Sequence, residues 1–98
     1  MKIYLDGERK APSGWIAVQS AAEAIRLLEA GQVTHLSLDH DLGDDASGTG
    51  YTVIPWLEEA VASGMVPPII TVHTSNPSAR VKMLLGVESI RRLAADRI

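Results

Sequence analysis

The chain predicts an α/β fold built on a small parallel sheet, and three observations lead there. Short apolar runs with a two-residue alternation fall at residues 2–6, 15–18, 33–38 and 69–74. Stretches of helical periodicity follow the second, third and fourth of these runs. Only the link between the first and second runs is too short for a crossover helix. Strands alternating with helices imply parallel pairing. Right-handed crossovers then give four strands in the order 2-1-3-4. With 98 residues, the chain suits one domain, 1–98.

The first run ends on Asp6. Gly7 and a polar stretch closing on Pro12-Ser13-Gly14 form a loop to the second run. That second run can still lie parallel, as an edge strand reached by an irregular loop. Ser20-Ala21-Ala22-Glu23 has capping-box spacing. Ala21, Ala24, Ile25 and Leu28 recur at helical intervals, and Gly31 supplies the stop, giving a helix of about ten residues. The third strand alternates Val33, Leu36 and Leu38 with polar neighbours. A second helix puts Val53, Ile54, Leu57, Ala60 and Val61 on one side. Pro55 requires that this helix either start near Ile54 or be kinked. Tyr51 and Trp56 read as packing residues. Gly64 ends the helix, and Pro67-Pro68 leads into the fourth strand. On that strand Ile69, Thr71 and His73 share one face, and Ile70, Val72 and Thr74 the other. Ser75-Asn76-Pro77 reads as strand end, N-cap and first helical residue. The last helix carries Val81, Leu84, Leu85, Val87, Ile90 and Leu93. Gly86 inside it costs about 1 kcal/mol relative to alanine. Arg91, Arg92 and Arg97 complement the dipole at its end.

One stretch stands out: Leu38-Asp39-His40-Asp41-Leu42-Gly43-Asp44-Asp45, with four carboxylates and an imidazole in seven residues. It lies where the third strand stops, the end of an open α/β sheet at which ligands bind. Repulsion among these acids needs relief by a cation, a hydrogen-bond network or water. Parallel strands bring Asp6, then Asp39-His40-Asp41, then His73-Thr74-Ser75-Asn76 to the same sheet edge. His35 starts its strand at the opposite edge and reads as structural.

Composition narrows the function. The net charge is −3 and no long Lys/Arg cluster is present, which disfavours duplex DNA. A small nucleotide needs only one or two cations. With no cysteine there is no disulfide, zinc–thiolate site or thiol nucleophile. No run approaches a membrane span, and Asp6 comes too early for a signal peptide, so a soluble cytoplasmic protein is expected. The oligomeric state is not encoded in any pattern.

Leu5-Asp6-Gly7-Glu8-Arg9 with Pro12, Leu38-Asp39-His40-Asp41-Leu42-Gly43, Thr49-Gly50-Tyr51 and Val72-His73-Thr74-Ser75-Asn76-Pro77 occur in that order. Together they resemble the cyclic-phosphate-processing receiver-like domains, small relatives of response-regulator receivers. The resemblance covers nearly the whole chain. It implies a flavodoxin-like three-layer sandwich and a role in processing cyclic phosphates of nucleotides or RNA ends. Two departures stand out. Receivers carry two adjacent acids after the first strand, whereas here Gly7 follows Asp6, with Glu8 a possible substitute. The lysine that follows a fifth strand in receivers has no counterpart, and Lys82 is not placed to replace it.

The expected chemistry is metal-dependent phosphoester hydrolysis, a cyclic phosphodiesterase activity. Asp6, Asp39 and Asp41 are oxygen ligands suited to Mg²⁺ or Mn²⁺. His40 and His73 are the general base and acid. Ser75, Asn76 and Arg80, at the start of the last helix, hold phosphate oxygens. Two alternatives are a signalling receiver phosphorylated on Asp39, with Thr74 or Ser75 as its switch hydroxyl, and a module that captures a nucleotide or protein without turnover.

Overall fold

The computed structural model describes residues 1–42 and 48–96. Gly43, Asp44, Asp45, Ala46 and Ser47 of the acidic loop lie outside the described residues, as does Arg97. The elements are β1 (Lys2–Leu5), β2 (Ile16–Val18), α1 (Ala21–Glu29), β3 (His35–Leu38), α2 (Val53–Ala62), β4 (Ile69–Val72) and α3 (Pro77–Ala95), with a 3₁₀ turn at Gly50–Thr52 before α2. All pairings are parallel, and the strand order is β2-β1-β3-β4, as the crossover rule requires. Strand 2 does lie parallel at the edge, Ile16 opposite Ile3.

Local chemistry sets the element ends. The Ser20 side chain accepts from Glu23 N at 3.1 Å, capping α1. Past that helix Gly31 takes φ +83°, a conformation open to glycine at little cost. Pro55 falls in the first turn of α2, where a missing N–H is tolerated. Asn76 Oδ1 accepts from Ala79 N at 3.1 Å and caps α3 over Pro77. The fourth strand stops two residues earlier than its alternation suggests. Thr74 turns its hydroxyl to accept from Asn76 N at 3.2 Å, drawing the chain toward α3.

A single hydrophobic cluster forms the core. Ile3, Leu5, Val18, Leu36, Leu38, Ile70 and Val72 from one sheet face meet Ala24 and Leu28 of α1, Ile54 and Leu57 of α2, and Met83 and Ile90 of α3. Tyr51 and Trp56 pack at its border, as read from the sequence. All three helices therefore cover the same face. The receiver-like α/β fold is present, a four-stranded parallel sheet with three helices. Crossover direction explains where the helices lie. The steps β2→β3 and β3→β4 run the same way across the sheet, so right-handed crossovers put α1 and α2 on one side. Only β1→β2 runs the other way, and that link is a loop. On the uncovered face Ala17, Ile69 and Thr71 are exposed.

Gly86 has a packing reason to interrupt α3. A Cβ there would overlap Ile54 Cγ2 of α2, so the glycine lets the two helices approach. Helix propensity alone favours alanine at this position by about 1 kcal/mol. The overlap reverses the sign. Gly86→Ala is expected to lower unfolding free energy by about 1–3 kcal/mol, the usual range for overpacking. Urea unfolding of the two proteins checks this, and a gain in stability would contradict the close α2–α3 approach.

Candidate functional site

Register assembles the site. Leu5, Leu38 and Val72 stand opposite one another on the last shared rung of β1, β3 and β4. The backbone bonds continue one step further: Asp39 N donates to Leu5 O and His73 N to Leu38 O, both at 2.9 Å. Asp6, Asp39 and His73 are thus the next row. Since Leu5, Leu38 and Val72 face the core, alternation turns that next row to the uncovered face. A ligand atom from each of the three lies within 4.8 Å of the others.

Asp6 is 4% exposed and fully engaged. Its Oδ1 accepts from Glu8 N and Arg9 N, each at 2.8 Å, which folds the loop after β1 back on itself. Its Oδ2 faces His73 Nε2 at 3.1 Å. Burial is the largest single influence on this carboxyl and pushes its pKa up. The Arg9 and Glu8 N–H groups, with His73, outweigh it and hold the pKa below the ordinary value of 3.8. Asp39 Oδ1 accepts from His40 N at 2.8 Å, and among the described residues its other oxygen has no hydrogen-bond partner.

His73 is held on every side. Ser37 Oγ lies 2.7 Å from Nδ1. Tyr4 stacks on the ring at 4.1 Å and 9° between planes. Arg9 Nη1 donates to the His73 carbonyl at 3.0 Å. Tyr4 in turn meets the edge of Trp15, and Trp15 the edge of His35, so the four rings form a connected series on the uncovered face. Neither Ser37 nor Tyr4 was singled out by the sequence reading. Each occupies an ordinary alternating strand position, and only cross-strand register reveals its partner.

The other predicted residues sit apart from this cluster. Asp41 is exposed, its side chain 68% accessible, and pairs with His40 Nδ1 at 3.1 Å. His73 takes the third position in the cluster, where Asp41 was expected. Asn76 spends its side-chain oxygen on capping α3. Arg80 Nη1 donates to Val72 O at 3.0 Å, bracing the end of β4. Ser75 is exposed at the same edge, and Glu8 is exposed too. Lys82 Nζ stands 4.3 Å from the Tyr51 ring centroid. His35 bonds Thr34 Oγ1 at the far edge. A cleft of about 260 Å³ between Pro67, Pro68, Ile69, Ile70, Ile90 and Arg91 also lies away from the row and contains no acid or imidazole.

Gly7, where receivers have a second acid, has a steric explanation. A Cβ at this position would run into the carbonyl of Leu42, so the acidic loop lies directly against the Gly7 backbone. Gly50 anchors the far end of that loop. Its N–H donates to His40 O at 2.9 Å, and a Cβ there would collide with the Asp39 carbonyl. The Leu42 backbone occupies the space that a second acid would need.

The fold and this strand-end row define a receiver-like α/β domain with two carboxylates and a histidine gathered at one sheet edge. The family model for the cyclic-phosphate processing receiver domain matches residues 1–89, and the chain belongs to that family. No curated protein and no solved structure matches it. Among the described residues no helix is long and apolar enough to cross a membrane.

Two predictions follow from the geometry. Restoring the receiver acid pair with Gly7→Asp is expected to destabilise the fold by about 1–3 kcal/mol rather than strengthen cation binding, since the side chain displaces Leu42. Chemical denaturation together with Mn²⁺ titration checks both halves. Asp6 also carries a pH signature. A carboxyl held below its usual value stabilises the fold fully above its unfolded pKa, and that contribution is lost as pH falls through the lower folded value. The stability advantage of wild type over Asp6→Asn is therefore expected to be constant near neutrality and to shrink as pH falls below about 3.8. Urea midpoints measured from pH 7 to pH 2 test the trend.

Proposed function

We propose that this domain hydrolyses a cyclic phosphate of a nucleotide or an RNA end, with a divalent cation held by Asp6 and Asp39. The observation that carries this reading is the meeting of two carboxylates and an imidazole, from three strands, within 4.8 Å on an uncovered sheet face. The donor set fits such an ion. Among the described residues the second Asp39 oxygen has no hydrogen-bond partner, Asp6 Oδ2 faces His73 in the same cluster, and oxygen donors with one nearby imidazole suit Mg²⁺ or Mn²⁺. A bound cation supplies positive charge against the phosphoryl oxygens.

The chain's own residues act on the attacking and the departing oxygens. His40 Nδ1 faces the Asp41 carboxylate, so that nitrogen carries the proton and Nε2 is left as the base. It takes a proton from the attacking water as the new P–O bond forms. One ring P–O bond breaks, His73 directs its Nε2–H as a hydrogen-bond donor toward the departing alkoxide, and that oxygen takes up a proton from solvent, leaving a phosphomonoester. Arg80 uses one donor on Val72 O and has others for a phosphate oxygen, and Ser75 adds a hydroxyl at the same edge. A signalling role for Asp39 is supported less well, because Lys82 is engaged with Tyr51 rather than with the acidic row.

The test is a screen of cyclic mononucleotides, cyclic dinucleotides and RNA 2′,3′-cyclic ends with Mg²⁺, Mn²⁺ or chelator. Phosphate NMR reads the products. Turnover is expected with metal and lost with chelator and in Asp39→Asn. His40→Ala and His73→Ala are each expected to lose at least about tenfold, with little change in His35→Ala. No turnover of any substrate by folded wild type overturns the enzymatic reading, and binding of a cyclic nucleotide without turnover replaces it with the capture module.

A further inference from the structure

Ser37 has only one hydrogen-bond partner among the described residues. It is 6% exposed, in the middle of β3, and its hydroxyl meets His73 Nδ1 at 2.7 Å. A buried O–H left without an acceptor costs about 1–3 kcal/mol. The acceptor in reach is Nδ1, which accepts only when it carries no proton. On the other side of the ring, Nε2 faces an oxygen of Asp6, an acceptor-only group when ionised. Both neighbours therefore ask for the same imidazole: Nδ1 bare, Nε2 protonated. An imidazolium would satisfy Asp6 but would leave the Ser37 proton without an acceptor.

Tyr4 stacks on the ring and prevents it from turning, and Arg9 pins the His73 carbonyl. The nitrogens cannot exchange places without breaking both hydrogen bonds and the stack. Metal-bound histidines usually donate their second N–H to a carboxylate, carbonyl or water. Here the second nitrogen meets a hydroxyl that has to donate, which is the opposite polarity.

We infer that Ser37 is a positioning residue that holds His73 in the Nε2–H tautomer, so that His73 meets the Asp6–Asp39 site as an N–H donor and not as a metal ligand. Its burial rules out Ser37 itself as a nucleophile, although Ser37, His73 and Asp6 are joined in sequence by hydrogen bonds. The tautomer stands independently of the proposed reaction. Its use as a hydrogen-bond donor toward a leaving oxygen rests on that reading.

The experiment is long-range ¹H–¹⁵N correlation of the histidine rings in the full chain above pH 8, where the shifts also report whether each ring is neutral. Wild type is expected to show a protonated Nε2 and a bare Nδ1 for His73, with no change on adding Mg²⁺. In Ser37→Ala the Nδ1–H fraction is expected to rise at least threefold, and Ser37→Thr, which keeps the hydroxyl, to restore the wild-type pattern. An Nδ1–H form in the wild type, loss of the Nε2 proton on adding Mg²⁺, or an unchanged tautomer in folded Ser37→Ala would each overturn the inference. If Ser37→Ala does not fold, the wild-type spectrum with and without Mg²⁺ decides alone. A wild type with the expected tautomer that hydrolyses no cyclic phosphate sinks the enzymatic reading and leaves the assignment of Ser37 standing.

Discussion

Three strands that share one final rung fix nearly everything about the site. With Leu5, Leu38 and Val72 in register, the next residue of each strand falls on the same row and turns to the same face. A slip of one residue in β4 would send His73 to the core side and bring Val72 into the row with the carboxylates. The burial of Leu5, Leu38 and Val72 against the helices is what opposes that slip. The site's geometry is therefore enforced by hydrophobic contacts on the opposite face of the sheet. The polar groups contribute direction, not the driving force for assembly.

Bringing two carboxylates into one row is unfavourable unless each charge is answered. For Asp6 the answer is local. Two successive N–H groups of its own loop and the imidazole face its oxygens, and they more than offset burial. For Asp39 a single N–H from His40 does part of this, and among the described residues its second oxygen has no hydrogen-bond partner. The two glycines make the arrangement sterically possible. Gly7 meets the Leu42 backbone and Gly50 the Asp39 carbonyl, and side chains at either glycine would push these segments apart. The reduced acidic pair is thus a property of the packing and not simply a lost ligand.

Much of this fold is legible in the sequence. Two-residue alternation gives the strands, the Ser20 and Asn76 caps mark the starts of α1 and α3, and the handedness of crossovers orders the sheet. The convergence of Asp6, Asp39 and His73 at one edge follows from the same reasoning. What the sequence leaves open depends on direction rather than position. Asp41 and His73 both lie near the strand ends, but pleat and register bring His73 toward Asp6 and leave Asp41 in solvent with His40. Asn76 looks available for phosphate until its bond to Ala79 N is counted, and Arg80 has one of its donors committed to Val72 O. Ser37 is invisible because its partner is 36 residues away. The short link between β1 and β2 is legible too: it is a loop with no helix, as its length requires.

That loop has a further consequence for chemistry. Parallel sheets are ordinarily covered on both faces. Here one face carries no helix, and its side chains include a connected series of rings from His73 through Tyr4 and Trp15 to His35. The row of Asp6, Asp39 and His73 lies on that face, yet the loop after β1 and the neighbouring side chains leave Asp6 only 4% and Asp39 9% exposed. Partial exclusion of water strengthens each charge–charge interaction there. An imidazole fixed by Ser37, Tyr4 and Asp6 keeps its direction, and direction is what such a site has to preserve if its N–H is to be aimed at one oxygen.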